Sequence, residues 1–134
     1  MANRVAVVLV AVPVDEPNAI AGYYTLSNMT VDAGALPDTF AGKLPRYPIL
    51  RATLLGRLAV TQQHQGRRLG EHLTMDALSQ SLAATAKVAS LAVVVDPIDD
   101  RARTFYEKYQ FIALTDPPSR LFLAMKTIEL GLGR

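Results

Sequence analysis

The sequence predicts an α/β fold, a mixed sheet flanked by helices in the order β-β-β-α-β-α-β-β. Three observations predict it. Short runs rich in valine, leucine and tyrosine stop at clusters of proline, aspartate and glycine, as strands joined by turns do. Two longer segments repeat apolar residues at helical spacing. The run SLAVVV, Ser90–Val95, is apolar without interruption, which indicates a strand covered on both faces of the sheet.

The first part of the chain predicts a hairpin followed by a long loop. Val5–Val12 is dominated by valine and is expected to be a buried strand, with a turn at Asp15–Asn18. Ile20–Met29 is rich in aromatic and β-branched residues and is expected to pair with it. Asp32–Arg51 carries three prolines and predicts a loop, with one helical turn at Asp38–Leu44.

The remaining part alternates strands and helices and ends in a hairpin. The predicted elements are strand Thr53–Val60, helix Gly66–Thr85, strand Ser90–Val95, helix Asp99–Tyr109, and hairpin strands Phe111–Thr115 and Arg120–Lys126. No repeat, low-complexity tract or linker divides the 134 residues, so a single domain is expected.

Composition excludes several classes of protein. The chain has no cysteine, which excludes a disulfide framework and thiolate chemistry. His64 and His72 are too few and too poorly spaced for zinc, so no metal site is predicted. No apolar run reaches the roughly 18 residues of a membrane span. A net charge of +2 permits a polyanionic partner without demanding one.

The segment between the third strand and the first helix carries the strongest functional signal. The apolar run LLGRLAV, Leu54–Val60, leads through a polar turn to QGRRLG, Gln65–Gly70, where the helical pattern begins. A helix N-terminus attracts phosphate through backbone N–H groups that lack acceptors and through about half a positive charge. Glycine lets the backbone approach a ligand closely, and two arginines add charge. We therefore predict a cradle for a pyrophosphate.

A second signal is the later helical segment DDRARTFYEKYQF, Asp99–Phe111. One apolar stripe is expected along it, formed by Ala102, Phe105, Tyr106 and Tyr109. Asp99 or Asp100 is expected to cap its start. Taken alone, Tyr106 is well explained as a half-buried aromatic residue on an amphipathic helix.

Together the two segments resemble the GNAT acetyltransferases. In their acyl-coenzyme A signature, Gln/Arg-x-x-Gly-x-Gly/Ala, Gln65 and Gly70 match the ends and Arg68 stands at the central glycine. The later segment is similar to the GNAT pattern Ala-x-x-Phe-Tyr-x-x-x-Gly-Phe, with Gln110 at the glycine position. It matches at Ala102, Phe105, Tyr106 and Phe111.

The resemblance implies direct transfer of the acetyl group of acetyl-CoA to a primary amine. The cofactor-binding residues that it implies are Leu58, Ala59 and Val60 along the pantetheine, and Gln65, Gly66, Arg67, Arg68, Leu69, Gly70 and Glu71 around the pyrophosphate. Tyr106 would protonate the departing sulfur, and a backbone N–H of Leu58–Val60 would stabilise the acetyl oxygen. Neither Glu71 nor Asp96 identifies itself as a general base.

Several strings resemble one GNAT branch in particular, the toxins of bacterial type II toxin–antitoxin systems. The strings are GYYTLS (Gly22–Ser27), LPRYPI (Leu44–Ile49), LLGRLAV (Leu54–Val60), AVVVD (Ala92–Asp96) and RLFLAMKT (Arg120–Thr127). The resemblance implies a cytoplasmic enzyme that acetylates the α-amine of aminoacyl-tRNA, with a ribbon-helix-helix antitoxin as partner. Basic residues that could meet the tRNA backbone are Lys43, Arg46, Arg51 and Arg57.

The resemblance begins at the second strand of the GNAT domain. The first strand and first helices of the family have no counterpart before Val5–Val12, so residues 1–134 are expected to form an N-terminally truncated domain. We expect Val5–Val12 to lie near a sheet edge that a second copy could cover, which favours a homodimer. Two alternatives stay open: a catalytically inactive GNAT remnant that binds an antitoxin or CoA, and an acetyltransferase for small amines.

Overall fold

The computed structural model describes residues 7–16, 18–37, 49–66, 68–85 and 90–132. Its elements are β1 (Val7–Ala11), β2 (Gly22–Asp32), β3 (Ile49–Val60), α1 (Leu69–Ala84), β4 (Ala92–Val95), α2 (Asp100–Glu107), β5 (Ile112–Ala113), β6 (Leu121–Ala124) and α3 (Met125–Leu132). Short 3₁₀ turns cover Ala33–Ala35 and Gln62–His64. None of the helices in these ranges is long and apolar enough to cross a membrane.

All six strands form one mixed sheet in the order β1-β2-β3-β4-β6-β5. Neighbouring strands are antiparallel except for β3 and β4, which are parallel because α1 connects them. The predicted fold class is therefore confirmed.

Helices α1, α2 and α3 pack on one face of the sheet, and the opposite face carries the cluster around Phe122. β4 contributes side chains to both faces of the sheet. Val93 and Val95 pack under the helices, and Ala92 and Val94 belong to the cluster around Phe122 on the opposite face. All four β4 residues are at most 7% exposed, as expected for an apolar run covered on both faces.

The first strand is less buried than its valines predict. Val7, Val8 and Val10 are 58%, 57% and 47% exposed, so the expectation of a buried strand is wrong. β1 lies at the sheet edge, and only β2 pairs with it among the described strands. Leu9 and Ala11 alone contact the helix-side core. The expectation that this strand lies at an edge is confirmed.

Several predicted boundaries move. β2 continues to Asp32 and β3 starts at Ile49, so the loop predicted at Asp32–Arg51 is shorter at both ends. The helical turn predicted at Asp38–Leu44 lies outside the described residues. The predicted final strand ends at Ala124, and Met125 starts a helix that the sequence analysis missed. The cause is tertiary: Met125 and Ile128 are buried in the helix-side core, one helical turn apart.

Candidate functional site

The strand β3 changes its pairing halfway along. Thr53–Leu55 pair in parallel with β4, whose last residue is Val95, whereas Gly56–Val60 continue beyond the end of β4. On the other side, β2 pairs with β3 along its length, with a bulge that places Arg57 opposite Thr25 and Leu55 opposite Leu26. Gly56 is the extra residue of this bulge.

The bulge reverses which way the backbone groups of β3 point. Before it, the carbonyl of Arg51 accepts a hydrogen bond from Leu91 on the β4 side (2.9 Å). After it, the N–H of Arg57 donates to Thr25 Oγ1 on β2 (3.0 Å), and the N–H of Thr61 donates to the carbonyl of Ala21 (2.8 Å). Because strand residues alternate, the N–H and carbonyl groups of residues 58 and 60 point away from β2. We call the space beside Gly56–Val60 on that side the β3 opening.

The start of α1 borders the β3 opening. The sequence predicted a helix from Gly66, but the helix begins at Leu69, because Gly66 (φ 86°) and Arg68 (φ 62°) adopt left-handed conformations. The N–H of His72 donates to the carbonyl of Arg68 (3.2 Å), which leaves the N–H groups of residues 69–71 without an intrahelical acceptor. The predicted cradle is therefore the first turn of α1, and two residues with left-handed backbone conformations, Gly66 and Arg68, lie just before it.

Gly70 lies where the strand, the first helix and the second helix meet. A Cβ atom built on it would lie 3.9 Å from Val60 Cγ2 and 4.0 Å from Phe105 Cζ. Any side chain at this position would therefore enter the space between β3, α1 and α2. The absence of a side chain keeps the cradle continuous with the β3 opening.

The charges at the cradle form one small network. Nε and Nη2 of Arg68 donate to the Glu71 carboxylate at 3.2 and 3.3 Å. This guanidinium lowers the pKa of Glu71, and Tyr109 and Lys108 on the α2 side lower it further. The Arg68 side chain remains 75% exposed. Arg67 lies outside the described residues.

The polar turn before the helix is held by side chains. Gln65 Nε2 donates to the carbonyl of Val60 (3.2 Å), and His64 Nδ1 lies 2.7 Å from Thr61 Oγ1. Gln65 is the first residue of the signature and here ties the turn to the end of β3.

Tyr106 lies on the second helix, which the predicted cap anchors. Asp99 Oδ1 accepts from the N–H of Ala102 (2.8 Å), so Asp99 is the N-cap. The Tyr106 ring packs edge-on against Phe105 and Phe111, with ring centroids 5.3 and 5.4 Å apart. Burial raises the pKa of Tyr106, so its hydroxyl keeps its proton at neutral pH. No described residue forms a hydrogen bond with this hydroxyl.

The end of α2 explains the departure at Gln110. The N–H of Phe111 donates to the carbonyl of Tyr106 (3.4 Å), and the N–H of Gln110 donates to that of Glu107 (3.0 Å). This is the Schellman pattern of helix termination. In it, the residue that donates the first of the two bonds, here Gln110, adopts a left-handed conformation, and this residue is usually glycine. Gln110 has φ 73°. It therefore preserves the turn and the Tyr106–Phe111 contact that accompanies it.

The two carboxylates that sequence analysis weighed as bases are both paired with arginine. Asp96, at the end of β4, accepts two hydrogen bonds of 2.8 Å from Arg120 at the start of β6. Glu71 is held by Arg68. Asp76, on α1, accepts a hydrogen bond from the buried hydroxyl of Tyr24 (2.5 Å). Sequence spacing could not reveal these pairings, because each except Arg68–Glu71 joins distant parts of the chain.

A cleft of about 550 Å³ lies on the other side of the α1 start, toward β1. Its polar lining comes from Asp15, Glu16, Gln63, His64 and His72. Within the described ranges, no group of three or more histidine, aspartate or glutamate side chains could hold a metal ion.

Comparisons with known proteins decide the family. No family model matches the chain. A tRNA-acetylating toxin of Mycobacterium tuberculosis is 32% identical over 115 residues, which span 85% of this chain and 68% of that protein. The chain belongs to the tRNA-acetylating GNAT toxins. The resemblance that the sequence motifs indicated is therefore confirmed.

Solved structures of GNAT toxins share this fold. AtaT complexed with acetyl-methionyl-tRNAfMet superposes with a TM-score of 0.85 at 28% identity, covering 93% of this chain and 74% of that one. A tyrosine-to-phenylalanine variant of AtaT, bound to acetyl-CoA and to the C-terminus of the antitoxin AtaR, gives a TM-score of 0.70 at 26% identity and covers 86% and 67%. Among GNAT toxins, acetyl-CoA, a charged tRNA and an antitoxin are thus all seen as ligands.

Proposed function

We propose that this chain is an acetyl-CoA-dependent N-acetyltransferase that modifies the α-amine of aminoacyl-tRNA. One observation carries the proposal: the β3 opening, the α1 cradle and the Tyr106 helix meet at Gly70, in a chain 32% identical to a tRNA-acetylating toxin. A second protein of similar sequence, from Sinorhizobium fredii, is named as the probable toxin TacT.

The residues around the β3 opening fit acetyl-CoA. An extended pantetheine arm needs a strand edge with available backbone groups. Along Leu58–Val60 these are the N–H and carbonyl of Leu58 and the N–H of Val60, with Ala59 between them paired to β2. A diphosphate needs N–H donors and positive charge, which residues 69–71 and Arg68 provide. Gly70 and Glu71 contribute through their backbone N–H groups, and the remaining proposed contacts are Gln65, Gly66 and Arg67. Bound acetyl-CoA supplies an activated acetyl thioester.

This chain's own groups would then stabilise charge and donate a proton. The free N–H groups of Leu58 and Val60 point into the β3 opening, where one of them can donate to an acetyl oxygen that gains negative charge. One such donor is typically worth about 3 kcal/mol. Tyr106 carries a protonated hydroxyl that bonds no acceptor among the described residues, which suits a proton donor to a departing thiolate.

No dedicated general base is required for this acceptor. In this structure Asp96 and Glu71 both form ion pairs with arginine, so neither is placed as an unpaired carboxylate beside the β3 opening. An α-amino group has a pKa of about 8, and an ester bond lowers it further, so a fraction is neutral at physiological pH. The neutral amine is the attacking species.

The two residues that first suggested an inactive remnant do not disturb the site. Arg68 and Gln110 replace glycines of the family pattern, yet both adopt the left-handed conformation that glycine favours. The turns before α1 and after α2 are therefore intact, which favours an active enzyme.

The partners follow from the same family membership. We propose charged tRNA as substrate, a ribbon-helix-helix antitoxin as inhibitor, and a second copy of the chain along the exposed valines of β1. Charged tRNA is used in the cytoplasm, so the proposed substrate places the activity there.

Salt dependence tests the tRNA assignment. The purified chain, with saturating acetyl-CoA, is assayed on total charged tRNA and on a free amino-acid ester between about 50 and 200 mM salt. Arg51 and Arg57 are exposed on β3 and can meet phosphates, whereas Lys43 and Arg46 lie outside the described residues. Phosphate contacts weaken steeply with salt, so acetylation of tRNA should fall sharply while acetylation of the ester changes little.

Two results would contradict the proposal. Equal salt sensitivity for both substrates would remove the role of tRNA phosphates. Turnover of small polyamines with none on charged tRNA would favour the small-amine enzyme instead.

A further inference from the structure

A carboxylate stands in the turn that forms the cradle. Glu71 is the third residue of α1, so its side chain belongs to the same turn as the N–H groups proposed to hold the diphosphate. Its oxygens occupy two donors of Arg68, at 3.2 and 3.3 Å. The Arg68 guanidinium, a positive group beside the cradle, is therefore already bound to an anion of the chain itself.

The Glu71 carboxylate and a bound diphosphate would be stabilised by the same two features, the N-terminus of α1 and the Arg68 guanidinium. A negative charge in the first turn of a helix interacts favourably with the helix dipole and with any neighbouring cation. Two anions in one turn repel each other and compete for one guanidinium. Tyr109 and Lys108 also favour the ionised form of Glu71, so the carboxylate keeps its charge at neutral pH.

The Arg68 side chain is free to change partners. It is 75% exposed, while the side chain of Glu71 is only 30% exposed. Among the described residues, the Arg68 guanidinium forms hydrogen bonds with Glu71 alone. Glu71 has Tyr109 and Lys108 beside it if Arg68 leaves, so the exchange does not strand a carboxylate without neighbours.

We propose that Glu71 is a built-in competitor for the acetyl-CoA diphosphate, which holds Arg68 in the resting chain and releases it to a phosphate when the cofactor binds. The inference rests on the proposed function, because it concerns the same cradle. It assigns Arg68 a movable contact and gives Glu71 the role of lowering cofactor affinity.

The test is calorimetric titration of acetyl-CoA into four proteins at low ionic strength: wild type, Glu71→Gln, Arg68→Gln and the double variant. Glu71→Gln should bind about 2- to 5-fold more tightly, the range expected for one exposed charge near a helix terminus. Arg68→Gln should weaken binding by at most about 2-fold in the wild-type background and by about 5-fold in the Glu71→Gln background. The larger loss in the second background is the signature of competition.

A matched control separates this local effect from net charge. Glu107→Gln removes the same charge from another helical pair, since Glu107 lies 3.4 Å from Arg103 on α2. It should leave acetyl-CoA affinity unchanged within about 2-fold. Thermal melting of each variant checks that the fold is retained.

The outcomes are distinct. If wild type binds acetyl-CoA and Glu71→Gln binds equally or more weakly, the inference is wrong and the proposed function stands. If Arg68→Gln costs more in wild type than in the Glu71→Gln background, Arg68 shields Glu71 rather than leaving it, and the inference is again wrong. If wild type does not bind acetyl-CoA, both proposals fail together.

Discussion

The two halves of β3 have similar apolar sequences and opposite roles. Ile49–Leu55 pairs with β2 throughout and with β4 at Thr53–Leu55, so there the sheet continues on both sides of the strand. Gly56–Val60 lies beside β2 alone, because β4 ends at Val95 and the bulge at Gly56 turns the strand's backbone groups. The comparison teaches that a strand can offer its backbone N–H and carbonyl groups to a ligand at the point where the neighbouring strand ends.

Burial follows the same division. Leu50 and Leu55 are 5% and 2% exposed in the paired half, whereas Leu58 and Val60 are only partly buried in the open half. Substitutions in the paired half should therefore damage stability, and substitutions around the open half should damage ligand binding or turnover.

Filling the open half should have the largest effect. Gly70→Glu places a carboxylate between Val60, Phe105 and the cradle, where it blocks the space and repels a diphosphate. We expect acetyl-CoA affinity to fall by about 100-fold or more in calorimetry. Gly34→Glu is the matched control, because a Cβ there meets nothing within 4 Å. Normal binding by Gly70→Glu would remove the cradle from the site.

Emptying the paired half should weaken the fold and spare the site. Leu50→Ala removes a buried side chain from the cluster around Phe122 and should lower the free energy of unfolding by about 3 kcal/mol in denaturant titration. Ile49→Ala, at a 57% exposed neighbour, should cost far less. If Leu50→Ala changed the free energy of acetyl-CoA binding more than the free energy of unfolding, the division between the two halves would be wrong.

Removing one hydroxyl at the open half should slow turnover without changing binding. Tyr106→Phe keeps the packing against Phe105 and Phe111, so kcat should fall about 10-fold or more while acetyl-CoA affinity and melting temperature hold. Tyr23→Phe, a tyrosine on the opposite face of the sheet from Tyr24, is the control. An unchanged kcat in Tyr106→Phe would exclude this residue from the mechanism.

The pKa of Tyr106 adds a pH criterion. Burial raises this pKa above 10, so the hydroxyl remains protonated throughout the neutral and mildly alkaline range. The pH profile of kcat should therefore show no falling limb from Tyr106 ionisation across the neutral and mildly alkaline range. A falling limb near pH 8 that disappears in Tyr106→Phe would contradict this.

The smallest effect should come from the turn that holds Tyr106. Gln110→Gly relieves a left-handed conformation that costs a side chain about 1–2 kcal/mol, less the extra entropy of glycine in the unfolded chain. We expect a gain of about 0.5–1 kcal/mol in unfolding free energy with turnover unchanged. Gln110→Ala removes the same side chain without freeing φ, and should give no such gain.

Much of the site was predictable because its signals are local. Asp99 caps the helix that it precedes, and QGRRLG lies at the start of α1, although the helix begins three residues later than the pattern indicated. Both features depend on a few neighbouring residues and on backbone geometry. The pairing of Asp96 with Arg120 depends on residues 24 apart, so no spacing rule could find it.

By itself, the sequence determined the strands and the first two helices, the strand that is covered on both faces, and the turn that carries the charge and glycine of a phosphate cradle. Those properties follow from periodicity and from local backbone preference. Only the tertiary structure decided that the valines of β1 are exposed, that the chain after Ala124 is a helix, and that β3 is left open beyond Leu55. Each of these depends on which other element lies beside the segment and where that element ends. The residue pattern within one segment carries no information about its neighbours in space.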